Sequence, residues 1–143
     1  MNGRMTVLLP PGGKTRTDVW GTPEELFAAL NAEFDFTLDP CPLDPSETAG
    51  CGLWGKDSLL ESWAGQRVFC NPPYSDIWKW TDKRHEPDVA VYLIPVRSDT
   101  AWWHDHALEA DEIRFIRGRL KFGGSATSAP FPSAILVFDK RKR

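Results

Sequence analysis

The chain has 143 residues, enough at roughly 100–200 residues per domain for one compact domain and too few for an added recognition domain. Hydrophobic residues make up 41% and charged residues 26%, which argues for a buried core and against disorder. The net charge of −3 hides a division: residues 113–143 carry +7 and the preceding residues −10, so the basic end is a candidate polyanion surface.

Apolar runs are short, and none approaches the ~20 residues of a membrane-spanning helix. Residues 1–10 lack the apolar core of a secretory signal, so a cytoplasmic protein with no membrane partner is expected. Three cysteines, Cys41, Cys51 and Cys70, are then expected as reduced thiols.

Residues 1–18 are rich in Gly, Pro and Thr and read as an N-terminal arm, 19–139 as the folded domain and 140–143 as a basic tail. Thr22 fits an N-cap, Pro23 the first helical position, and Glu25 completes a capping box. Leu26, Phe27, Leu30 and Phe34 follow at helical spacing, which predicts a helix to about Glu33. A short strand over Phe36 to Asp39 should stop at Pro40. Asp44 to Gly55 reads as a loop and Ser58 to Trp63 as one or two helical turns.

Arg67 to Cys70 forms a second predicted strand, halted by Asn71-Pro72-Pro73. Ser75 should cap a helix reaching His85, and Val89 to Ile94 is apolar enough for a fully buried strand. Asp99 to Ala110 reads as a helix packing Trp103, Ala107 and Ala110. Strands over Glu112 to Arg117 and Ala134 to Phe138 flank a Gly/Ser/Pro loop. This alternation predicts an α/β fold with a largely parallel sheet, helices on both faces and ligands at the strands' carboxyl ends. Too few residues separate Asp39 from Arg67 for full crossovers, so the sheet should be abbreviated.

Asn71-Pro72-Pro73-Tyr74 is the most informative segment. The prolines supply rigid carbonyls without competing N–H groups. A carboxamide oxygen and a neighbouring carbonyl can together accept from one –NH₂ group, while Tyr74 offers a face to a planar ring. Such a site suits an exocyclic amine such as N6 of adenine, whose delocalised lone pair makes it a poor nucleophile. Holding both amine hydrogens directs that lone pair outward, so catalysis rests on positioning and electrostatics. The same motif also suits a glutamine amide. No cysteine pair has the short spacing of a structural zinc site, so no metal is expected.

The chain resembles the phage-type, Dam-like DNA N6-adenine methyltransferases. The ordered pieces are Trp20-Gly-Thr22-Pro23, Leu38-Asp39-Pro40-Cys41, Asp57-Ser58-Leu59-Leu60, Phe69-Cys-Asn71-Pro-Pro-Tyr74-Ser75, Leu93-Ile-Pro95-Val-Arg97, Trp102-Trp103-His104, Gly118-Arg119-Leu-Lys-Phe122 and Ala129-Pro-Phe131-Pro-Ser-Ala134. The resemblance implies an abbreviated Rossmann-like class I methyltransferase fold, S-adenosylmethionine as cofactor and a flipped adenine of double-stranded DNA as substrate. Thr22 and Pro23 would touch the cofactor's amino-acid end, Asp39 and its following loop would lie beside the methionyl part, and Asp57 would accept from its adenine amine. Trp20, Pro40, Cys41 and Ser58 complete the implied cofactor set.

Asn71, Pro72, Pro73 and Tyr74 would hold the target adenine, with Phe131 or Phe122 as second stacking wall. Arg97, Arg117, Arg119 and Lys121 would meet nucleic acid. The glycine-rich signature of the wider superfamily is replaced here by residues 41–52, and no acidic residue stands out for the ribose. An RNA or amide methyltransferase, or a silent nucleic-acid-binding relative, are the alternatives. With no recognition domain, reading of the target sequence falls to loops or to a second subunit of a homodimer.

Overall fold

The computed structural model describes residues 21–41, 58–121 and 128–143. Helix α1 spans Glu24–Phe34, followed by strand β1 at Arg67–Cys70, helix α2 at Ile77–Thr81 and strand β2 at Val89–Pro95. Helix α3 at Ala101–Asp105 leads to strands β3 at Glu112–Phe115 and β4 at Ser133–Asp139. The four strands form one sheet in the order β1-β2-β4-β3.

The ladders correct the expectation of a mostly parallel sheet. β1 pairs with β2 in parallel, but β4 pairs antiparallel with both β2 and β3. Three strands therefore point one way, and the reversed β4 lies between two of them. The strand expected over Phe36 to Asp39 is reduced to one parallel bridge, Leu38 with Val68.

Side-chain alternation divides the core into two faces. On one, Phe69, Val89, Val91, Leu93, Ile135 and Val137 pack with Leu30 and Phe34 of α1. Phe27 meets Phe69 edge-to-face at 5.2 Å between ring centroids. On the other, Val68, Cys70, Ala90, Tyr92, Ile94, Leu136 and Phe138 pack with Ile77 of α2 and Trp103 of α3. Both faces being covered explains why β2 and β4 are buried along their whole lengths.

Helix ends differ from the sequence expectation. Pro23, not Thr22, is the N-cap of α1, and no side chain caps it. Asp35 closes α1 in the left-handed region, φ 53°, where its N–H donates to the Asn31 carbonyl. Tyr74–Asp76 forms a 3-10 turn, so the predicted Ser75 cap is not used and α2 ends at Thr81, short of His85. The Thr81 hydroxyl donates back to the Ile77 carbonyl at 3.3 Å, a bond that competes with continued helix. The helix expected over Asp99 to Ala110 divides into α3 and a 3-10 turn at Ala107–Glu109.

Arg114 ties α1 to β3 through Glu33 at 2.6 Å and reaches Glu112 at 2.9 Å. Among the described residues, no helix is long and apolar enough to cross a membrane. Leu136 is fully buried at the centre of the sheet. Leu136→Ala is expected to lower the unfolding free energy by about 2–5 kcal/mol in urea titrations. Arg114→Ala, which removes half-exposed pairs, should cost at most about 1 kcal/mol. Equal losses would contradict this division between core and surface.

Candidate active site

Strand direction decides where the site lies. β1, β2 and β3 all end on one edge of the sheet, and the reversed β4 begins there. Asn71 directly follows β1, Arg97 lies just beyond β2, and residues 116–121 leave β3. Phe131 and Pro132 lead into β4. Backbone bonds hold the edge together: Val96 N–H donates to the Pro132 carbonyl at 2.9 Å and Ile116 N–H to the Ser133 carbonyl at 3.0 Å. The Leu38 bridge brings Asp39 to the same edge beside β1.

Asn71 is the hub of this edge. Its carboxamide Nδ2 donates to Thr22 Oγ1 at 3.1 Å, and its Oδ1 accepts from the Tyr74 hydroxyl at 3.3 Å. These two contacts hold the plane of the carboxamide between the Thr22 and Tyr74 hydroxyls. Thr22, expected as a helix cap, instead orients Asn71 across 49 residues of sequence. Burial pushes the Tyr74 hydroxyl far above its ordinary range, which keeps it a proton donor. Pro72 is buried and Pro73 half-buried in the turn between them.

Tyr74 is itself wrapped. Phe131 meets its ring edge-to-face, centroids 5.5 Å apart and planes at 74°. The Arg97 guanidinium lies 6.0 Å from the same ring, and Nη1 donates to the Tyr74 carbonyl at 3.5 Å. Phe131, one of the two phenylalanines expected as a second aromatic wall, thus lies against Tyr74. Phe122 lies outside the described residues, as do Trp20 and Asp57.

Asp39 is buried, and its Oδ1 accepts from the Cys41 N–H at 3.1 Å. Among the described residues no cation pairs with it. Burial pushes its carboxyl up to about 7, with the Cys41 N–H working in the opposite direction. Burial, with Cys41 and Asp39 nearby, pushes the Cys70 thiol well up. Pro40 is buried and Cys41 half-buried beside them, while Pro23 is half-buried next to Thr22. Ser58 is buried, its carbonyl accepting from Trp63 Nε1 at 3.1 Å.

The basic end divides on inspection. Arg114 pairs with Glu33 and Glu112, Arg141 with Asp139, and Arg143 with Asp111. Arg117, Arg119 and Lys121 are exposed, and among the described residues none forms an ion pair. Among the described residues of this basic end, the cations without an ion pair are Arg117, Arg119 and Lys121 on the segment leaving β3 at the Asn71 edge, and Lys140 and Lys142 in the tail. His104 and His106 are tied to the Ser98 carbonyl and the Thr81 hydroxyl, and the described residues hold no metal-binding cluster.

Comparison with curated proteins and with solved structures returned no match. The model of one family, DNA N-6-adenine-methyltransferase (Dam), matches residues 12–142, which span nearly the whole chain including the Asn71 edge. The chain belongs to the Dam DNA N-6-adenine-methyltransferase family.

Proposed function

We propose that the protein transfers a methyl group from S-adenosylmethionine to N6 of an adenine rotated out of double-stranded DNA, in the cytoplasm. The observation that carries this reading is the Asn71 carboxamide, oriented by Thr22 and the Tyr74 hydroxyl at the carboxyl edge of the sheet. Asn71 Oδ1 and the Pro72 carbonyl accept the two N6 hydrogens, so the nitrogen lone pair points away from both. A carboxamide oxygen can accept twice, so the Tyr74 bond is compatible with this role. The Tyr74 hydroxyl stays protonated and keeps the acceptor aimed.

Tyr74 and Phe131 form the walls for the base. A ring stacked between two others needs about 7 Å, twice an ordinary carbon contact, so Phe131 turns aside from its 5.5 Å edge-to-face position when a base enters. Arg97, held against the Tyr74 ring, neutralises phosphate beside the extruded nucleotide. Arg117, Arg119 and Lys121 contact the DNA backbone and set affinity and register without reading sequence. Their position favours nucleic acid over an amide side chain as substrate. The base sequence is read by loops or by a second copy of the chain.

The residues at the edge fit the cofactor's charge. Asp39, a buried carboxyl without a cationic partner among the described residues, suits the cationic methionyl end, with Thr22, Pro23, Pro40 and Cys41 around it. Trp20, Asp57 and Ser58 complete the proposed cofactor contacts. When bound, S-adenosylmethionine supplies an electrophilic methyl group on a sulfonium. The protein contributes the aimed nucleophile, the counter-charge and exclusion of water.

Asn71→Ala should lower turnover by about a hundredfold or more while cofactor affinity persists, the scale for removing one well-placed polar group at a transition state. Parental turnover in that variant would reduce the motif to a turn. A second expectation concerns pH. A cationic ligand beside Asp39 favours its carboxylate, so S-adenosylmethionine affinity should rise as pH climbs through about 7, and Asp39→Asn should flatten that profile. The folded carboxyl keeps its proton to higher pH than the unfolded one, so its stabilising contribution is full at acid pH and fades toward 7. Asp39→Asn without cofactor should accordingly melt above the parental protein at pH 8. Calorimetric titration and melting curves check both, and an unchanged profile would remove Asp39 from the cofactor site.

For DNA, replacing Arg119 and Lys121 together with alanine should flatten the slope of log K against log salt by about two units at constant cofactor affinity. An unaltered slope would place the DNA path elsewhere.

A further inference from the structure

Ser133 opens β4 at the edge that carries Asn71. It is 1% exposed, and among the described residues its hydroxyl has no hydrogen-bond partner. Its backbone is held on both sides, paired with Pro95 of β2 and accepting from the Ile116 N–H at 3.0 Å. A buried hydroxyl left unpaired in so firmly held a segment is unusual, because most buried polar atoms find partners.

The face it occupies follows from alternation. Ile135 and Val137 pack on the α1 side of the sheet and Ala134 and Leu136 on the other, so Ser133 lies on the α1 side. Phe69 also packs on the α1 side, which places Asn71 there too, in agreement with its bond to Thr22 just ahead of α1. β2 separates the two strands and the register sets Ser133 two residues further along than Asn71, so the two positions stand roughly 12 Å apart at ~4.8 Å per strand and ~3.3 Å per residue. Phe131, two residues before Ser133, packs against the cores of both faces and meets the Tyr74 ring.

With the N6 amine of adenine at Asn71, the remaining polar atoms on the base edge are ring nitrogens, all acceptors. A second anchor must therefore donate, and a serine hydroxyl can rotate to do so. A carbonyl or carboxylate at the same place would repel the ring. We propose that Ser133 is a base-positioning residue whose hydroxyl donates a hydrogen bond to a ring nitrogen of the adenine held at Asn71. This rests on the function proposed above. Together the two anchors fix the rotation of the base within its plane, which stacking alone leaves open.

The test compares parental protein and Ser133→Ala on DNA carrying adenine, 1-deazaadenine, 3-deazaadenine or 7-deazaadenine at the target, with melting curves of both proteins. In the parent, one deaza analogue should lower kcat/KM by about tenfold, the scale of one hydrogen bond. Ser133→Ala should lose about as much on adenine and no longer distinguish adenine from that analogue. Its Tm without DNA should equal or exceed the parental value, because the hydroxyl removed had no partner; a structural role would lower it. A parent indifferent to all three analogues, a variant with parental kcat/KM, retained discrimination in the variant, or a lowered Tm would each overturn the assignment of Ser133. A parental protein that methylates no adenine-containing DNA would instead overturn the proposed function, and this assignment with it.

Discussion

β4 runs against β2 over seven consecutive residue pairs, from Val89 with Asp139 to Pro95 with Ser133, and all of these residues are buried. This ladder orders the rest of the molecule. Because β4 is reversed, its beginning meets the ends of β1, β2 and β3. Phe131 and Ser133 thereby come to the edge that holds Asn71 and Tyr74, though some sixty residues of sequence separate them. A β4 running the other way would carry Phe131 to the far edge and leave Tyr74 without its aromatic neighbour.

The edge is built from groups that a purely stabilising design would avoid. Asp39 is a buried carboxyl opposed by no cation among the described residues, and the Ser133 hydroxyl is buried without a partner there. A buried polar group left unsatisfied costs about 1–3 kcal/mol, against a typical total stability of about 5–15 kcal/mol. The central strands β2 and β4 behind them are buried along their whole lengths and the backbone around them is closed by hydrogen bonds, which lets the fold carry such groups at one edge. Local departures from good packing rules concentrate where a ligand is to supply the missing partners.

Much of this was legible in the sequence, for identifiable reasons. β1 matches its predicted span because Val68, Phe69 and Cys70 form a short apolar run cut off by two prolines. Asn71 and Tyr74 stand out through the motif and its position at a strand end, and Arg97 through the family resemblance. The direction of β4 was not legible. A strand buried on both faces reads as the same apolar run whichever way it points, and residues 116–132 are numerous enough for either connection. Thr22 was read as a cap because capping chemistry is local, whereas its hydroxyl serves a side chain from another element. Ser133 carried no signal, since a lone serine before an apolar run becomes conspicuous only once its hydroxyl is seen to be buried and unpaired. The tail cations drew attention in the sequence, but ion pairs to Asp111 and Asp139 occupy Arg143 and Arg141.

The central claim is that the oriented Asn71 carboxamide directs methyl transfer to N6 of adenine in DNA. It is tested most directly by incubating the protein with S-adenosylmethionine labelled in its methyl group and unmodified double-stranded DNA, then digesting the DNA to nucleosides and identifying the labelled product. The account predicts label in N6-methyldeoxyadenosine. Label in N4-methyldeoxycytidine, or none in any deoxynucleoside, would contradict it.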